Sequence, residues 1–141
     1  MYQKLTIVGN LGQDPELRYT SDGTPVTTLS VATNRSWTNA DGSPGEETAW
    51  FRVTAWRRMA EVCAEYLEKG RQVLVEGRLQ PDPETGGPRV WTDRNGNPRA
   101  SFEMTAQTVK FLGGRGGVGP GRGPDEIPDE PPAEDPGDIP F

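Results

Sequence analysis

Apolar and polar positions alternate with a two-residue period through most of residues 1–112, and the period changes once. Lys4 to Gly9 is β-branched and apolar and runs into Gly9-Asn10-Leu11-Gly12, which predicts a strand and then a turn. Asp14-Pro15-Glu16 and Ser21-Asp22-Gly23 mark further turns around an extended Leu17-Arg18-Tyr19. In a second strand, Val26 to Arg35, Leu29 and Val31 share one face and Thr28, Ser30 and Ala32 the other. The first register continues through Thr33 and Arg35 to Trp37, where the core is expected to stop. The polar stretch Asn39 to Glu47, with Gly42 and Gly45, predicts a mobile hairpin connection.

The third strand spans Thr48 to Arg58. From Met59 the apolar residues fall at Met59, Val62, Cys63, Tyr66 and Leu67, the spacing of an amphipathic helix, with Gly70 as its stop. Val73, Val75, Gly77 and Leu79 define a fourth strand and Pro81 to Pro88 a loop. Val90 to Asp93 leads into Arg94-Asn95-Gly96-Asn97, whose Asn-Gly is a tight-hairpin signal. Ala100 to Leu112 is the last strand, with Phe102, Met104 and Ala106 on one face. Three strands, a helix and two strands predict an all-β fold, a small five-stranded barrel carrying one helix.

The third strand carries the chemistry. Alternation puts Trp50, Arg52, Thr54 and Trp56 on one face and Phe51, Val53 and Ala55 on the other. An outward Trp adds apolar surface without contributing to the core. Two of them flanking an Arg suit a ligand with flat faces and negative charge, because bases stack on indoles while phosphates pair with guanidinium groups. The competing reading is a strand buried on both faces with Arg52 reaching to an edge.

Composition adds a division. Residues 1–112 hold 13 Lys+Arg against 14 Asp+Glu, a net of −1, while residues 113–141 hold 2 against 7, a net of −5. Bulk charge therefore does not point to nucleic acid, and only the local placement of Arg could attract phosphate. The last 29 residues contain 8 Gly and 7 Pro and predict a disordered acidic tail. That tail ends in Asp138-Ile139-Pro140-Phe141, apolar anchors beside acid groups that suit a partner pocket with a basic rim. The absence of His removes His-based catalysis and His-ligated zinc; no catalytic residue, metal or cofactor is expected. The lone Cys63 lies mid-stripe and is expected to be inert core packing. Neither a membrane span nor a signal peptide is evident.

Several separated motifs then coincide: Val8-Gly9-Asn10-Leu11-Gly12-Gln13-Asp14-Pro15-Glu16 with Arg18-Tyr19, Trp37, Trp50-Phe51-Arg52-Val53, Ala60-Glu61-Val62 with Tyr66-Leu67 and Lys69-Gly70, Trp91-Thr92-Asp93, and Asp138-Ile139-Pro140-Phe141. In this order they resemble the bacterial single-stranded DNA-binding proteins over residues 2–112 and again at the tip. The resemblance implies a cytoplasmic, nucleoid-associated protein whose residues 1–112 form an OB-fold that binds single-stranded DNA and assembles as a homotetramer. It implies base stacking on Trp37, Trp50 and Trp91, and on Trp56 where relatives carry Phe. Basic contacts to phosphate would come from Arg18, Arg52, Arg58 and Lys69, joined by Arg35 on the face of Trp37. Residues 113–141 would form the tail, its tip docking replication, repair and recombination enzymes. Two features depart from the family: Asp82 and Glu84 stand where relatives are basic, and Pro136-Gly137 interrupts the acidic run. Two other classes compete with this: a metal-dependent nuclease using Asp82, Glu84 and Asp93, which lacks rigid support for a metal, and an adaptor acting through its tip alone.

Overall fold

The computed structural model describes residues 1–113; the tail beyond, with Asp138, Ile139, Pro140 and Phe141, lies outside the described residues. The elements are β1 (Leu5–Leu11), β2 (Glu16–Tyr19), β3 (Pro25–Thr38), β4 (Pro44–Trp56), α1 (Arg57–Tyr66), β5 (Gln72–Leu79), β6 (Arg89–Thr92) and β7 (Pro98–Leu112). Five of the strands run β1-β5-β7-β4-β3, and β3 returns to β1 through Asn10–Ala32 and Leu11–Val31, closing a barrel. The short β2 and β6 are additions, each paired with one barrel strand, β2 on β3 and β6 on β7.

The inward residues follow the alternation. Leu29, Val31, Val53, Val73, Val75 and Met104 are fully buried, and Met59, Ala60, Cys63 and Leu67 plug the barrel from α1 and its end. The Thr27 hydroxyl, also buried, donates to the Ala60 carbonyl at 2.8 Å, so the one polar side chain under the helix is satisfied. Burial pushes the Cys63 thiol up to about 12, which keeps it protonated and unreactive.

Several local expectations are corrected. Gly9 to Leu11 belongs to β1, and a Cβ on Gly9 would lie 2.2 Å from the Ala32 carbonyl oxygen, so this glycine permits barrel closure. Residues 39–47 are not one loop, because β3 runs to Thr38 and β4 starts at Pro44, joined by the short turn Asn39–Ser43. There the two strands leave the barrel as a ribbon solvated on both faces, and a ribbon of that kind has the polar composition of a loop. The helix starts at Arg57, whose φ of +58° turns the chain abruptly off β4. It ends at Tyr66; Gly70 instead sits in the connection to β5, donating its N–H to the Leu11 carbonyl at 2.9 Å. Phe102 is not a core residue: it is 55% exposed, with its ring 5.6 Å from that of Phe51.

Three hairpins close with one design: Thr20–Thr24, Asn39–Ser43 and Asp93–Asn97 each pair first N–H to last carbonyl and fourth N–H to first carbonyl. The fourth residue is Gly23, Gly42 or Gly96, at φ +88°, +89° and +84°, a conformation costly for any residue with a Cβ. Asn95-Gly96 thus closes a three-residue loop with a bulge rather than the two-residue turn its sequence signals.

Candidate nucleic-acid interface

The register of β2, β3, β4 and β7 sets outward side chains in rows across the barrel wall. Arg18, Val26 and Trp56 share one row; Glu16, Thr28 and Thr54 the next; Ser30, Arg52 and Glu103 the third; Ala32 and Trp50 the fourth. Trp50 and Trp56, six residues apart on one strand, stand roughly 20 Å from each other. Between them β3 offers Thr28 and Ser30, and beside them Val26 and Ala32, none of them large, which leaves the rings standing above a shallow floor. β6 folds over from β7 and brings Trp91 and Arg89 to the same face, where Trp50, Arg52, Arg89 and Trp91 line an open cleft of about 200 Å³ with Ser30 and Ser101.

All four indoles face solvent: Trp37 is 38% exposed, Trp50 51%, Trp56 42% and Trp91 38%. The reading of β4 as buried on both faces is therefore wrong. Two of the rings rest on glycine. A Cβ on Gly12 would lie 2.5 Å from Cζ3 of Trp50, and one on Gly45 would lie 2.5 Å from Cε2 and Nε1 of Trp37. The Trp37 ring is further fixed by its Nε1–H, which donates to Asn39 Oδ1 at 2.8 Å. Rings held against bare backbone in this way are preorganised and lose little freedom when a ligand stacks on them.

Cations accompany the rings at a two-residue spacing, which in a strand means one face. The Arg35 guanidinium lies 4.8 Å from the centroid of Trp37 and that of Arg89 5.3 Å from Trp91, both within cation–π range. Arg52 follows Trp50 at the same interval. The predicted residues are not all brought together. Trp50, Arg52 and Trp91 meet in the cleft, Trp56 and Arg18 share the row at its far end, and Trp37 with Arg35 sits out on the β3–β4 ribbon. Arg58 lies in the first turn of α1 next to Trp56. Lys69 is in the connection from α1 to β5, its N–H donating to Asp14 Oδ1 at 2.9 Å, and it does not line the cleft. Arg89 escaped the sequence reading, although Arg-x-Trp at 89–91 repeats Arg-x-Trp at 35–37 and could have revealed it.

Two acids of the nuclease alternative, Asp82 and Asp93, have structural duties. Asp82 Oδ1 accepts the Glu84 N–H, and Asp93 accepts the N–H groups of Asn95 and Asn97 and the Arg99 Nε–H. The Asn97 N–H first, then Arg99, hold the Asp93 carboxyl below the usual carboxylate range.

A closed five-strand barrel carrying one helix is an OB-fold, and outer rows studded with exposed rings and cations have the chemistry that suits single strands. Residues 2–112 match the model of the single-strand binding protein family. The chain is 43% identical over 111 residues to the single-stranded DNA-binding protein 1 of Xylella fastidiosa, covering 78% of this chain and 76% of that protein. Among solved structures it resembles the Plasmodium falciparum SSB in complex with ssDNA (TM-score 0.65, 26% identity, 80% of this chain and 97% of that one). It also resembles a deletion mutant of the single-stranded DNA-binding protein from Thermus aquaticus (TM-score 0.61, 29% identity, 79% and 51%). The chain belongs to the single-strand binding protein family, whose members bind single-stranded DNA and are not enzymes.

Proposed function

We propose that the chain binds and protects single-stranded DNA without sequence preference, the strand crossing the outer rows of the barrel. Bases stack on Trp50, Trp56, Trp91 and Trp37, and phosphates pair with Arg18, Arg35, Arg52, Arg58 and Lys69, to which Arg89 is added. The observation that carries this reading is the outward presentation of four indoles, each with an Arg two residues away and three of them with that Arg on the same strand. Any base offers a π-face, so such a surface tolerates every sequence.

Residues 1–112 serve as the binding and oligomerisation domain, assembling as a homotetramer. Residues 113–141 serve as a tether whose Asp138, Ile139, Pro140 and Phe141 recruit replication, repair and recombination enzymes in the bacterial cytoplasm. Support for the recruiting tip comes from its apolar anchors and terminal acid groups. The test is a titration of the full chain with oligo-dT, followed by Trp fluorescence over a salt series, with sedimentation of the free and bound protein. Quenching at saturation, affinity falling with salt and a tetrameric mass are expected. Unquenched fluorescence with no salt dependence overturns the reading of the interface.

A further inference from the structure

The arginines beside the stacking rings are not waiting as bare cations. Arg35 Nε lies 3.1 Å from Glu47 Oε2, Arg89 Nη1 3.5 Å from Glu103 Oε2, and Arg99 Nε 2.9 Å from Asp93 Oδ2. Each pair sits at an indole: Arg35 over Trp37, Arg89 over Trp91, and Arg99 directly across from Trp91 in the β6–β7 register. Glu47 is in position by register, facing Arg35 across β3–β4, while Glu103 accepts the Ser101 hydroxyl at 2.8 Å and Asp93 is fixed by the N–H groups of Asn95 and Asn97. Arg52 differs. Among the described residues no carboxylate stands within ion-pair distance of it, although Glu103 is its register partner, because that carboxylate turns to Arg89.

We propose that Glu47, Glu103 and Asp93 are resident counterions, holding Arg35, Arg89 and Arg99 beside the Trp37 and Trp91 rings until a DNA phosphate replaces them. This rests on the proposed interface and adds the exchange by which the strand enters it. An arginine that moves to a phosphate releases cations condensed on the DNA, about 0.7 per contact for a single strand. The carboxylate it leaves stays in the interface, unpaired and close to the strand, and takes up a cation in return. Binding therefore responds less to salt than the number of Arg–phosphate contacts requires, and the same acids set the ceiling on affinity at low salt.

The experiment measures oligo-dT binding by Trp fluorescence over a salt series for the full chain and for Arg52→Gln, Arg35→Gln, Glu47→Gln, Glu103→Gln and Arg35→Gln/Glu47→Gln. Quenching of the unsubstituted chain tests the interface itself, independently of what the variants do. Arg52→Gln is expected to flatten the logarithmic salt slope by about 0.7, and Arg35→Gln by clearly less. Glu47→Gln and Glu103→Gln are each expected to steepen the slope and tighten low-salt binding about two- to fivefold, the scale of exposed ion pairs. Glu47→Gln should steepen nothing when Arg35 is already replaced. Equal flattening by Arg52→Gln and Arg35→Gln, or the same gain from Glu47→Gln in both backgrounds, overturns the exchange. Glu47 is exposed on the ribbon, so its variant folds even where the more enclosed Glu103 does not.

Discussion

The two ends of β3 and β4 follow opposite rules. Within the barrel, Leu29, Val31 and Val53 point inward, are fully buried and hold the sheet together by removing apolar surface from water. On the projecting ribbon the same alternation continues, yet the position of a core leucine is taken by Trp37, seated on Gly45 and hydrogen-bonded to Asn39. One end uses side chains to make the fold; the other uses the fold to hold a side chain still. Along β3 the two tasks differ in what stands across: Val53 opposite the buried Leu29, Gly45 opposite Trp37.

Removing inward Leu29 should break the first rule with the largest effect. Leu29→Ala is expected to cost about 2 to 5 kcal/mol, read from denaturant unfolding, because the closed barrel cannot refill the space. Trp50→Ala should show the converse: affinity for oligo-dT lower by about 1 to 3 kcal/mol, with a midpoint of unfolding nearly that of the parent. A large loss of stability in Trp50→Ala would show that the ring belongs to the core after all. Gly45→Ala sharpens the contrast without touching an aromatic residue. The added methyl would displace the Trp37 ring, so binding weakens by no more than Trp37→Ala weakens it, while stability stays within about 0.5 kcal/mol.

The smallest effect is with acid. Hydrogen bonds from Thr20 and then Thr24 lower the Asp22 carboxyl, those of Ser43 lower Asp41, and the Asn97 N–H followed by Arg99 lowers Asp93. Groups whose acidity is strengthened by folding stabilise the protein above their unfolded value of 3.8 and lose that contribution as pH falls through their lower folded values. Unfolding midpoints should therefore be level from neutrality to about pH 5 and decline below it, the decline being shallower in Asp93→Asn.

Much of this was legible in the residues. The alternation around Val53 placed every side chain of β4 from Trp50 to Trp56 on its observed face, and the change of period at Met59 located the helix. What was not legible shares one cause: the information lies in the partner strand. The ribbon at 36–47 has polar groups on both sides and reads as a loop unless its cross-strand pairs are known. Gly12 and Gly45 read as turn residues because nothing local shows the indole above them. Arg89 is the exception, because its Arg-x-Trp spacing matches that of Arg35 and Trp37 and is local to the chain. The tail falls outside this comparison.

The strand β7 lies against both β4, in the only parallel pairing of the described residues, and β5, in an antiparallel one. Phe51 and Phe102 are neighbours although half the barrel's sequence separates them. A chain emerging from the ribosome must therefore carry β1 to β5 with two unclosed sheet edges until its last fifteen-residue strand is made. Closure is then a single late event that few local contacts can hasten, and the indoles gain their shared surface only when it occurs.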